Sequence, residues 1–390
     1  MQQRRIGLLF NANKIYDRHV IEGIGHYLQS TQVCWDVFLE EDCLARLKEL
    51  HQWEVDGIIA DFDDPEIENA LLGKQIPVVA VGSSYHDESL YPNVPYVATD
   101  NNAIVALALA HLREKGLERF AFYGLPHDNR HRWARERERA MISQCRDAGF
   151  SLSVFRGDVT RATTWEVSMQ RLAGWINELP VPVGILAVTD ARARHILQAC
   201  ERTNRAVPDQ VSLIGIDDDD IARNLSKVSL SSINQGCFEM GFSAARLLHL
   251  CLTSPVSRLP PRLLIAPTGV VQRQSTDFKS LNDPLVIQAM HYIRQRASHG
   301  IKVEQVAQHL AVSRSQLETR FKQEVGMSVH QQLHLCKREE ACRLLKDTDF
   351  SLDDIAKRSG YPSQQYMHAV LKEHYGKTVS QLRLQFKNAD

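Results

Sequence analysis

Hydrophobic residues follow two different patterns along the chain, and the change falls in the polar stretch between residues 272 and 284. Before it, short apolar runs alternate with amphipathic stretches, which predicts strands separated by helices. Such an order is typical of parallel sheets joined by right-handed crossovers, and this length favours two sheets connected by a hinge. The predicted strands are 6–10, 35–39, 57–60, 78–81, 120–123, 184–188 and 211–216, and the predicted helices include 20–29, 102–115, 164–178 and 191–202.

The last hundred or so residues contain one helical pattern twice. Each copy predicts a short amphipathic helix, a turn, an N-capping serine and a longer amphipathic helix, over about 303–326 and 352–376. This is the helix-turn-helix arrangement, and two copies favour DNA binding over ordinary solvated helix pairs. The corresponding positions are Ala307, Ser313, Leu317, Phe321, Lys322, Gly326 and Ser328 in the first copy and Ala356, Ser363, Met367, Leu371, Lys372, Gly376 and Thr378 in the second.

Polar residues on the outward faces of these helices are the candidates for contacting DNA. Arginine and glutamine near the start of such a helix can bind guanine and adenine edges through paired hydrogen bonds. Lys357 and Arg358 are expected to contact the phosphate backbone instead. The full candidate set is Arg314, Ser315, Gln316, Glu318 and Thr319 in the first copy and Lys357, Arg358, Ser363, Gln364, Gln365 and His368 in the second.

The charge is unevenly distributed, although the formal net charge of the chain is only −1. Residues 285–390 hold 16 Lys and Arg against 11 Asp and Glu, whereas the preceding residues hold 30 against 36. The basic excess therefore lies where phosphate contacts would be needed. A chain of 390 residues also exceeds one ordinary core. We expect a two-lobed α/β domain over 1–275, a linker over 276–284 and an all-α DNA-binding domain over 285–390.

Polar residues follow several predicted strands of the first domain, where parallel sheets collect their ligands. Carboxylate, amide and guanidinium groups form paired hydrogen bonds with vicinal hydroxyls, and an aromatic face can cover a sugar ring. The pattern therefore predicts a pocket for a neutral polyhydroxylated ligand such as a sugar. The candidate ligand-binding residues are Asn13, Tyr16, Asp17, Asp61, Asp63, Trp133, Arg137, Asp190 and Asp217.

Simpler interpretations exist for several of these residues. Asp190 precedes a predicted helix and could be its N-cap. Most of the acidic run 217–220 could be a solvated loop, and most of the charged run 132–139 an exposed helix face.

The C-terminal pattern resembles the DNA-binding domain of AraC-type transcription regulators. The resemblance is carried by 307–326, by the bridging helix with Lys337, Arg338, Ala341, Leu344 and Leu345, and by 351–376. The sequence departs from that family at Met367 and Leu371, where Phe is usual, and at Val379, where Pro is usual. These changes keep the core apolar.

The N-terminal part resembles the effector-binding core of LacI/GalR-type repressors and periplasmic sugar-binding proteins, through 97–101, 137–141, 187–190, 207–218 and 229–241. This resemblance implies a ligand held between two lobes by Arg137, Asp190, Asp217 and Gln235. LacI-type repressors carry their DNA-binding headpiece before this core, whereas here the first strand begins at Ile6 and the helix-turn-helix pair follows the core.

The combination of the two parts resembles bacterial regulators of xylose catabolism, from about residue 5 to about residue 386. It implies D-xylose as effector, activation of catabolic genes, a homodimer and contact with RNA polymerase at promoter DNA. Spacing and composition do not separate xylose from another pentose. We expect a cytoplasmic, sugar-responsive activator that is not an enzyme and has no cofactor.

Other classes of protein stay open on individual features. Asp61 or Asp63 with Asp190 could be the acid and base of a sugar-acting enzyme, and a transport-type binding protein would share the lobed core but need export. His330 and His334 could be half of a metal site, although a surface pair is favoured. The eight cysteines show no close pairing, as in a reduced cytosolic protein. No secretory signal and no apolar run of about 20 residues are evident.

Overall fold

The computed structural model describes residues 3–39, 54–128, 131–253, 262–277, 281 and 283–387. The chain divides into two compact units, Met1–Phe278 and Lys279–Asp390. The first unit is built from two six-stranded sheets, each with helices on its faces, and the second from helices alone. The predicted class is thereby confirmed: two parallel-sheet lobes of the periplasmic-binding-protein type and a C-terminal helical region with two helix-turn-helix motifs.

The first lobe contains a sheet with the strand order β11-β5-β4-β3-β1-β2, in which all neighbouring strands are parallel. Its core packs the strands against α1 and α8. The strands are β1 (Arg4–Leu9), β2 (Trp35–Leu39), β3 (Gly57–Asp61), β4 (Val78–Ser83), β5 (Tyr96–Thr99) and β11 (Arg262–Ile265), and the helices are α1 (Ile15–Ser30), α2 (Pro65–Leu71) and α8 (Cys237–Thr253).

The second lobe contains a sheet with the order β12-β10-β9-β8-β6-β7, in which only β12 is antiparallel to its neighbour. The strands are β6 (Arg119–Gly124), β7 (Ser151–Arg156), β8 (Val183–Ala187), β9 (Val211–Ile216), β10 (Ser231–Asn234) and β12 (Gly269–Val271). The helices are α3 (Asn101–Glu114), α4 (Arg132–Asp147), α5 (Trp165–Glu178), α6 (Asp190–Thr203) and α7 (Asp220–Asn224).

The chain crosses between the lobes three times, after β5, β10 and β11, and the crossings lie side by side. The N–H of Asp100 in the first crossing donates to the carbonyl of Ile265 in the third at 3.0 Å. The N–H of Thr268 donates to the carbonyl of Asn234 at 3.0 Å. Three adjacent crossings form a hinge that allows the two rigid sheets to rotate against each other.

Five strands were not predicted from the hydrophobic pattern: β5, β7, β10, β11 and β12. β10 (Ser231–Asn234) is polar yet buried, because hydrogen bonds satisfy its side chains: Ser231 bonds to Thr276 at 2.7 Å and Ser232 to Asp190 at 2.8 Å. β7 is only partly buried and lies at the sheet edge. Neither strand contains the short apolar run by which the other strands were predicted.

The start of the polar stretch 272–284 is part of the second lobe rather than a linker. Ser275 and Thr276 are fully buried. The Ser275 hydroxyl donates to the carbonyl of Leu213 at 2.6 Å, and the Thr276 hydroxyl lies 2.8 Å from His111 Nε2. Polar composition suggested a linker here, but these hydroxyls find partners inside the fold, so they can be buried at little cost.

The second unit consists of two helix-turn-helix motifs joined by one long helix. α10 and α11 form the first motif and α13 and α14 the second. The predicted capping serines are confirmed, since Ser313 accepts from the N–H of Gln316 at 3.1 Å and Ser363 from that of Tyr366 at 3.2 Å. Each motif has its own core. The helices are α9 (Pro284–Arg296), α10 (Val303–His309), α11 (Arg314–Val325), α12 (Val329–Asp347), α13 (Leu352–Arg358), α14 (Gln364–Tyr375) and α15 (Val379–Lys387).

The turns of the two motifs differ in their tolerance of a side chain. Ala311 in the first has φ 53°, and Gly360 in the second has φ 79°. A Cβ at Gly360 would lie 2.4 Å from the carbonyl oxygen of Ala297, whereas Ala311 is exposed. We expect Gly360→Ala to destabilise the unit by about 2 kcal/mol, from left-handed strain and the clash.

The matched change Ala311→Gly should alter stability by less than about 1 kcal/mol, because relief of strain offsets the added freedom of the unfolded chain. Urea unfolding of both variants checks this pair. Equal shifts in midpoint would contradict it.

Candidate functional site

The carboxyl ends of the two sheets meet around α4, and this region is the candidate ligand-binding cleft. Arg137 on α4 is 3% exposed. Its charge interacts with Asp217 of the second lobe and with Asp63 and Tyr16 of the first. The structure thus brings residues that were predicted from both halves of the sequence to one place.

Arg137 anchors a hydrogen-bond network at the hinge. Its Nε donates to Asn101 Oδ1 at 3.1 Å, and its two terminal nitrogens donate to the carbonyl of Val188 at 2.7 Å and to Gln235 Oε1 at 2.5 Å. Gln235 Nε2 in turn donates to Asp217 Oδ1. Burial lowers the pKa of Arg137. Burial also raises the pKa of Asp217, to about 7, against the opposing effect of Arg137.

Asp190 positions the loop that carries Asp217 and is not the N-cap of α6. Thr189 takes the cap position and accepts from the N–H of Arg192 at 3.3 Å. Asp190 Oδ2 accepts from the N–H of Asp219 at 2.8 Å, and both its oxygens accept from Ser232 Oγ at 2.8 Å. Burial raises the pKa of Asp190 well above its usual value.

A close approach of backbone makes this arrangement possible. A Cβ at Gly215 would lie 1.9 Å from Asp190 Oδ1, so only glycine leaves room for the carboxylate. Asp217 itself has φ 117°, a conformation that L side chains rarely adopt. The strained loop, Gly215 and Asp190 therefore hold the Asp217 carboxylate at the hinge network.

The first lobe contributes two buried carboxylates. Asp17 Oδ2 accepts from the N–H of Asn11 at 2.5 Å, while Asp17 Oδ1 has no hydrogen-bond partner. Asp61 Oδ2 accepts from Lys14 Nζ at 3.0 Å. Burial and then the charge of Asp61 raise the pKa of Asp17 to about 8. The pair can accept hydrogen bonds from a ligand with hydroxyl groups.

The raised pKa of Asp17 predicts a pH effect on stability. Between pH about 4 and about 8 the folded protein binds a proton there that the unfolded chain has lost, so stability falls as pH rises through this window. We expect Asp17→Asn to flatten this fall and to raise the melting temperature at pH about 8. Thermal unfolding of both proteins across the window measures the difference. Parallel pH profiles would contradict the prediction.

The remaining predicted cleft residues occupy different positions. The Tyr16 hydroxyl lies 3.8 Å from Met240 Sδ, and burial raises its pKa. Trp133 is half-buried, with the Arg137 guanidinium 5.1 Å from its ring centroid. Asp63 accepts from the Ser83 hydroxyl at 2.8 Å. The Asn13 side chain is exposed.

Arg132 is a cleft residue outside the candidate set, although it follows the predicted strand 120–123 as Arg137 does. The simpler interpretation of residues 132–139 was the expectation of a mostly exposed helix face, but Arg132, Glu136, Arg137 and Glu138 are all buried. Alternating signs are typical of a solvated helix, and here they pair across packed surfaces instead: Glu138, for example, accepts from Arg156 at 2.6 Å. The expectation was wrong because charge order does not reveal such partners.

Arg132 joins the two lobes directly. From α4 of the second lobe it donates to four groups of the first: Asp63 Oδ1 at 2.8 Å, the Tyr96 hydroxyl at 2.9 Å, the carbonyl of Phe62 at 3.4 Å and the Tyr85 hydroxyl. Its guanidinium also lies 3.8 Å from the centroid of the Tyr85 ring. One turn along α4, Glu136 Oε1 lies 3.0 Å from Nδ1 of His86 in the first lobe. We call the contacts of Arg132 with the first lobe and the Glu136–His86 contact together the lobe clasp.

In the second unit, the predicted DNA-binding residues lie on α11, on α14 or at its N-cap, except Lys357 and Arg358, which lie on α13. Arg314, Ser315, Gln316, Thr319 and Gln365 are exposed. Arg314 nevertheless pairs with Glu304 at 2.5 Å, and other candidates are also engaged within the unit. Glu318 accepts from the N–H of Val329 at 3.2 Å, Lys357 pairs with Asp353 at 2.6 Å, and the Arg358 guanidinium lies 4.5 Å from the Phe350 ring centroid. Gln364 and His368 are partly exposed near the start of α14, and Ser363 caps it.

The structure gives no further support to the candidate metal site. The His330 and His334 rings are 4.4 Å apart, and within the described residues no third ligand joins them into a metal-binding group. Among the described residues seven cysteines form no disulfide, and Cys43 lies outside this part of the chain. In the part of the chain that the structure describes, no helix is long and apolar enough to cross a membrane.

A hinged two-lobed core with a polar cleft, followed by tandem helix-turn-helix motifs, defines a ligand-responsive transcription regulator. Family models match in three successive parts: a XylR N-terminal domain over 5–102, a periplasmic binding protein-like domain over 109–276 and a helix-turn-helix domain over 306–385.

Named relatives match this chain over nearly its whole length. The chain is 50% identical over 382 residues to the xylose operon regulatory protein of Escherichia coli K12, covering 98% of this chain and 97% of that protein. It is 48% identical over 384 residues to the protein of that name from Haemophilus influenzae, covering 98% and 99%. The solved structure of the xylose-binding transcription activator xylR superposes with a TM-score of 0.88 at 48% identity, covering 98% of both chains. The chain belongs to the family of xylose operon regulatory proteins.

Proposed function

We propose that this protein is a D-xylose-responsive activator of sugar catabolic genes, with the sugar bound in the cleft and promoter DNA bound by α11 and α14. The observation that supports it most is the hinge network Asn101–Arg137–Gln235–Asp217. It places charged and amide groups at the point where the lobes rotate, in a chain that also carries the helix-turn-helix pair. The names of the relatives supply the choice of xylose among the pentoses.

The proposed mechanism is a change in lobe closure. Sugar contacts with Asp17 and Asp61 from one lobe, and with Arg137 and Asp217 from the other, are complete only when the lobes close. Sugar therefore shifts the population toward the closed form. In a homodimer, closure would change the spacing of the two DNA-binding units. A coupling of about 1 to 3 kcal/mol corresponds to a 5- to 150-fold change in DNA affinity.

Gene activation further implies contact with RNA polymerase, and action on DNA places the protein in the cytoplasm. Light scattering of the protein with sugar and on DNA tests the dimer. Monomers under both conditions would contradict it.

A sugar-acting enzyme is the less favoured reading. Paired catalytic carboxylates need freedom to exchange protons with a substrate. Asp190, which either acid–base pair would require, is buried, and its two oxygens accept from Ser232 Oγ and the Asp219 N–H. Calorimetric titration with a panel of pentoses and hexoses, with product analysis, separates the two readings. Saturable binding of D-xylose without turnover is expected, and turnover or indifference to every sugar would contradict the proposal.

The predicted DNA contacts divide into two kinds with different signatures. Gln364→Ala or Gln365→Ala should cost about 1 to 3 kcal/mol at selected base pairs if the amide contacts a base edge. Arg358→Ala should weaken binding to all sequences alike and reduce the salt dependence. Affinity measurements on a set of single-base variants of the promoter distinguish these outcomes. A uniform loss for the glutamine variants would assign them to the backbone.

A further inference from the structure

Three basic side chains form a row along α12, the helix that joins the two motifs. We call His330, His334 and Lys337 the α12 stripe, since spacings of four and three residues place them on one helix face. The His330 and His334 rings lie 4.4 Å apart. The centroid of the His334 ring is 6.4 Å from that of Tyr366, in the first turn of α14.

The stripe is not neutralised by the protein itself. Burial, and then the positive charges of His330, Lys337 and Arg338, lower the pKa of His334. Burial alone lowers the pKa of Lys337, which forms no ion pair with a carboxylate among the described residues. The carboxylates nearby have other partners: Glu318 accepts from the N–H of Val329, and Glu340 pairs with Arg343 at 2.7 Å.

Lys337 supplies a positive charge without a counter-charge, and the His334 imidazole, whose pKa is lowered, supplies a neutral N–H donor to an anion bound beside them. The location indicates which anion. Tyr366 is 45% exposed and directly follows Gln365, the exposed amide at the start of α14. A duplex whose groove receives this end of α14 brings its phosphates past neighbouring side chains, and imidazole N–H and ammonium groups are donors for phosphate oxygens.

We propose that the α12 stripe is a third DNA contact, which binds the phosphodiester backbone between the two groove segments addressed by α11 and α14. The inference rests on the proposed DNA-binding function and extends it to the joining helix. Its role is affinity without sequence preference, because phosphate contacts position a protein on DNA and do not distinguish bases.

The test uses the full-length protein with D-xylose present and two probes, a promoter duplex and a mixed-sequence duplex of equal length. The variant is His330→Gln/His334→Gln/Lys337→Gln. The control is Lys346→Gln, an exposed lysine on the same helix, nine residues beyond Lys337 and therefore on the opposite face. We expect the variant to bind both duplexes about tenfold more weakly, with a slope of log affinity against log salt that is shallower by about one. The control should match the wild type.

Each other outcome overturns the inference in a distinguishable way. If the variant binds both duplexes with the affinity and salt dependence of the wild type, the stripe does not contact DNA. It would then suit another partner, such as an acidic protein surface. A loss confined to the promoter duplex would mean base recognition. A loss accompanied by a lower melting temperature would mean that the stripe stabilises the unit. If the wild type binds neither duplex, the proposed DNA-binding function itself is contradicted.

Discussion

Asp217→Asn should weaken D-xylose binding by about 100-fold or more, which corresponds to about 3 kcal/mol, while leaving DNA affinity without sugar unchanged. The substitution keeps the shape of the side chain and removes its charge. Asp217 accepts from the Gln235 amide and faces the charge of Arg137, so in the proposed complex it would link a sugar hydroxyl to the hinge network. An amide in its place supplies a weaker, uncharged acceptor to both.

The matched control is Asp220→Asn, three residues further along the same acidic run. Asp220 is exposed, and its carboxylate pairs with Arg223 at 2.9 Å on the surface of α7. Calorimetric titration of both variants with D-xylose measures the difference. Equal affinities for the two variants would show that Asp217 does not contact the effector, and an equal loss of DNA binding would assign it a structural role.

Arg132→Met should open the cleft. It removes the guanidinium from Asp63, Tyr85, Tyr96 and the carbonyl of Phe62, the groups of the first lobe to which Arg132 donates. Loss of one partner of a buried ion pair costs about 3 to 5 kcal/mol. Here that cost falls on the closed form, in which the lobes touch. If the closed form binds sugar, its smaller population reduces the apparent affinity by the same factor, about 100-fold or more.

Small-angle scattering at a D-xylose concentration that just saturates the wild type should show a larger radius of gyration for Arg132→Met than for the wild type. Arg146→Met is the control, because Arg146 lies on the same helix, has an exposed side chain and pairs with Asp147 at 3.1 Å on the surface. A radius and a sugar affinity equal to those of the control would contradict the lobe clasp.

The sequence predicted the architecture because burial and helix periodicity leave direct traces. The strands rich in Val, Ile and Ala were recognised within two residues of their ends, and the turn and capping residues located both helix-turn-helix motifs. Resemblance to known families then identified Arg137, Asp190 and Asp217 as candidate cleft residues. These positions depend on sheet topology, which places strand ends together in a predictable way.

The remaining features depend on partners that are distant in sequence. Arg132 is buried because Asp63, Tyr85 and Tyr96 accept hydrogen bonds from it, and no spacing in the local sequence predicts these partners. The polar strand β10 and the buried Thr276 are stable for the same reason, through hydrogen bonds that form only in the folded lobe. The support of Asp217 by Asp190 likewise needs the glycine at 215, whose role appears only when the two backbones meet.

The central claim is that sugar in the cleft governs DNA binding by the helical unit. Fluorescence anisotropy of labelled promoter DNA, titrated with the full-length protein in the absence and presence of saturating D-xylose, tests it most directly. The account predicts that sugar tightens DNA binding between about 5- and 150-fold, and that Asp217→Asn abolishes the difference at the same sugar concentration. Identical DNA affinities with and without sugar, in a protein shown by calorimetry to have bound it, would contradict the account.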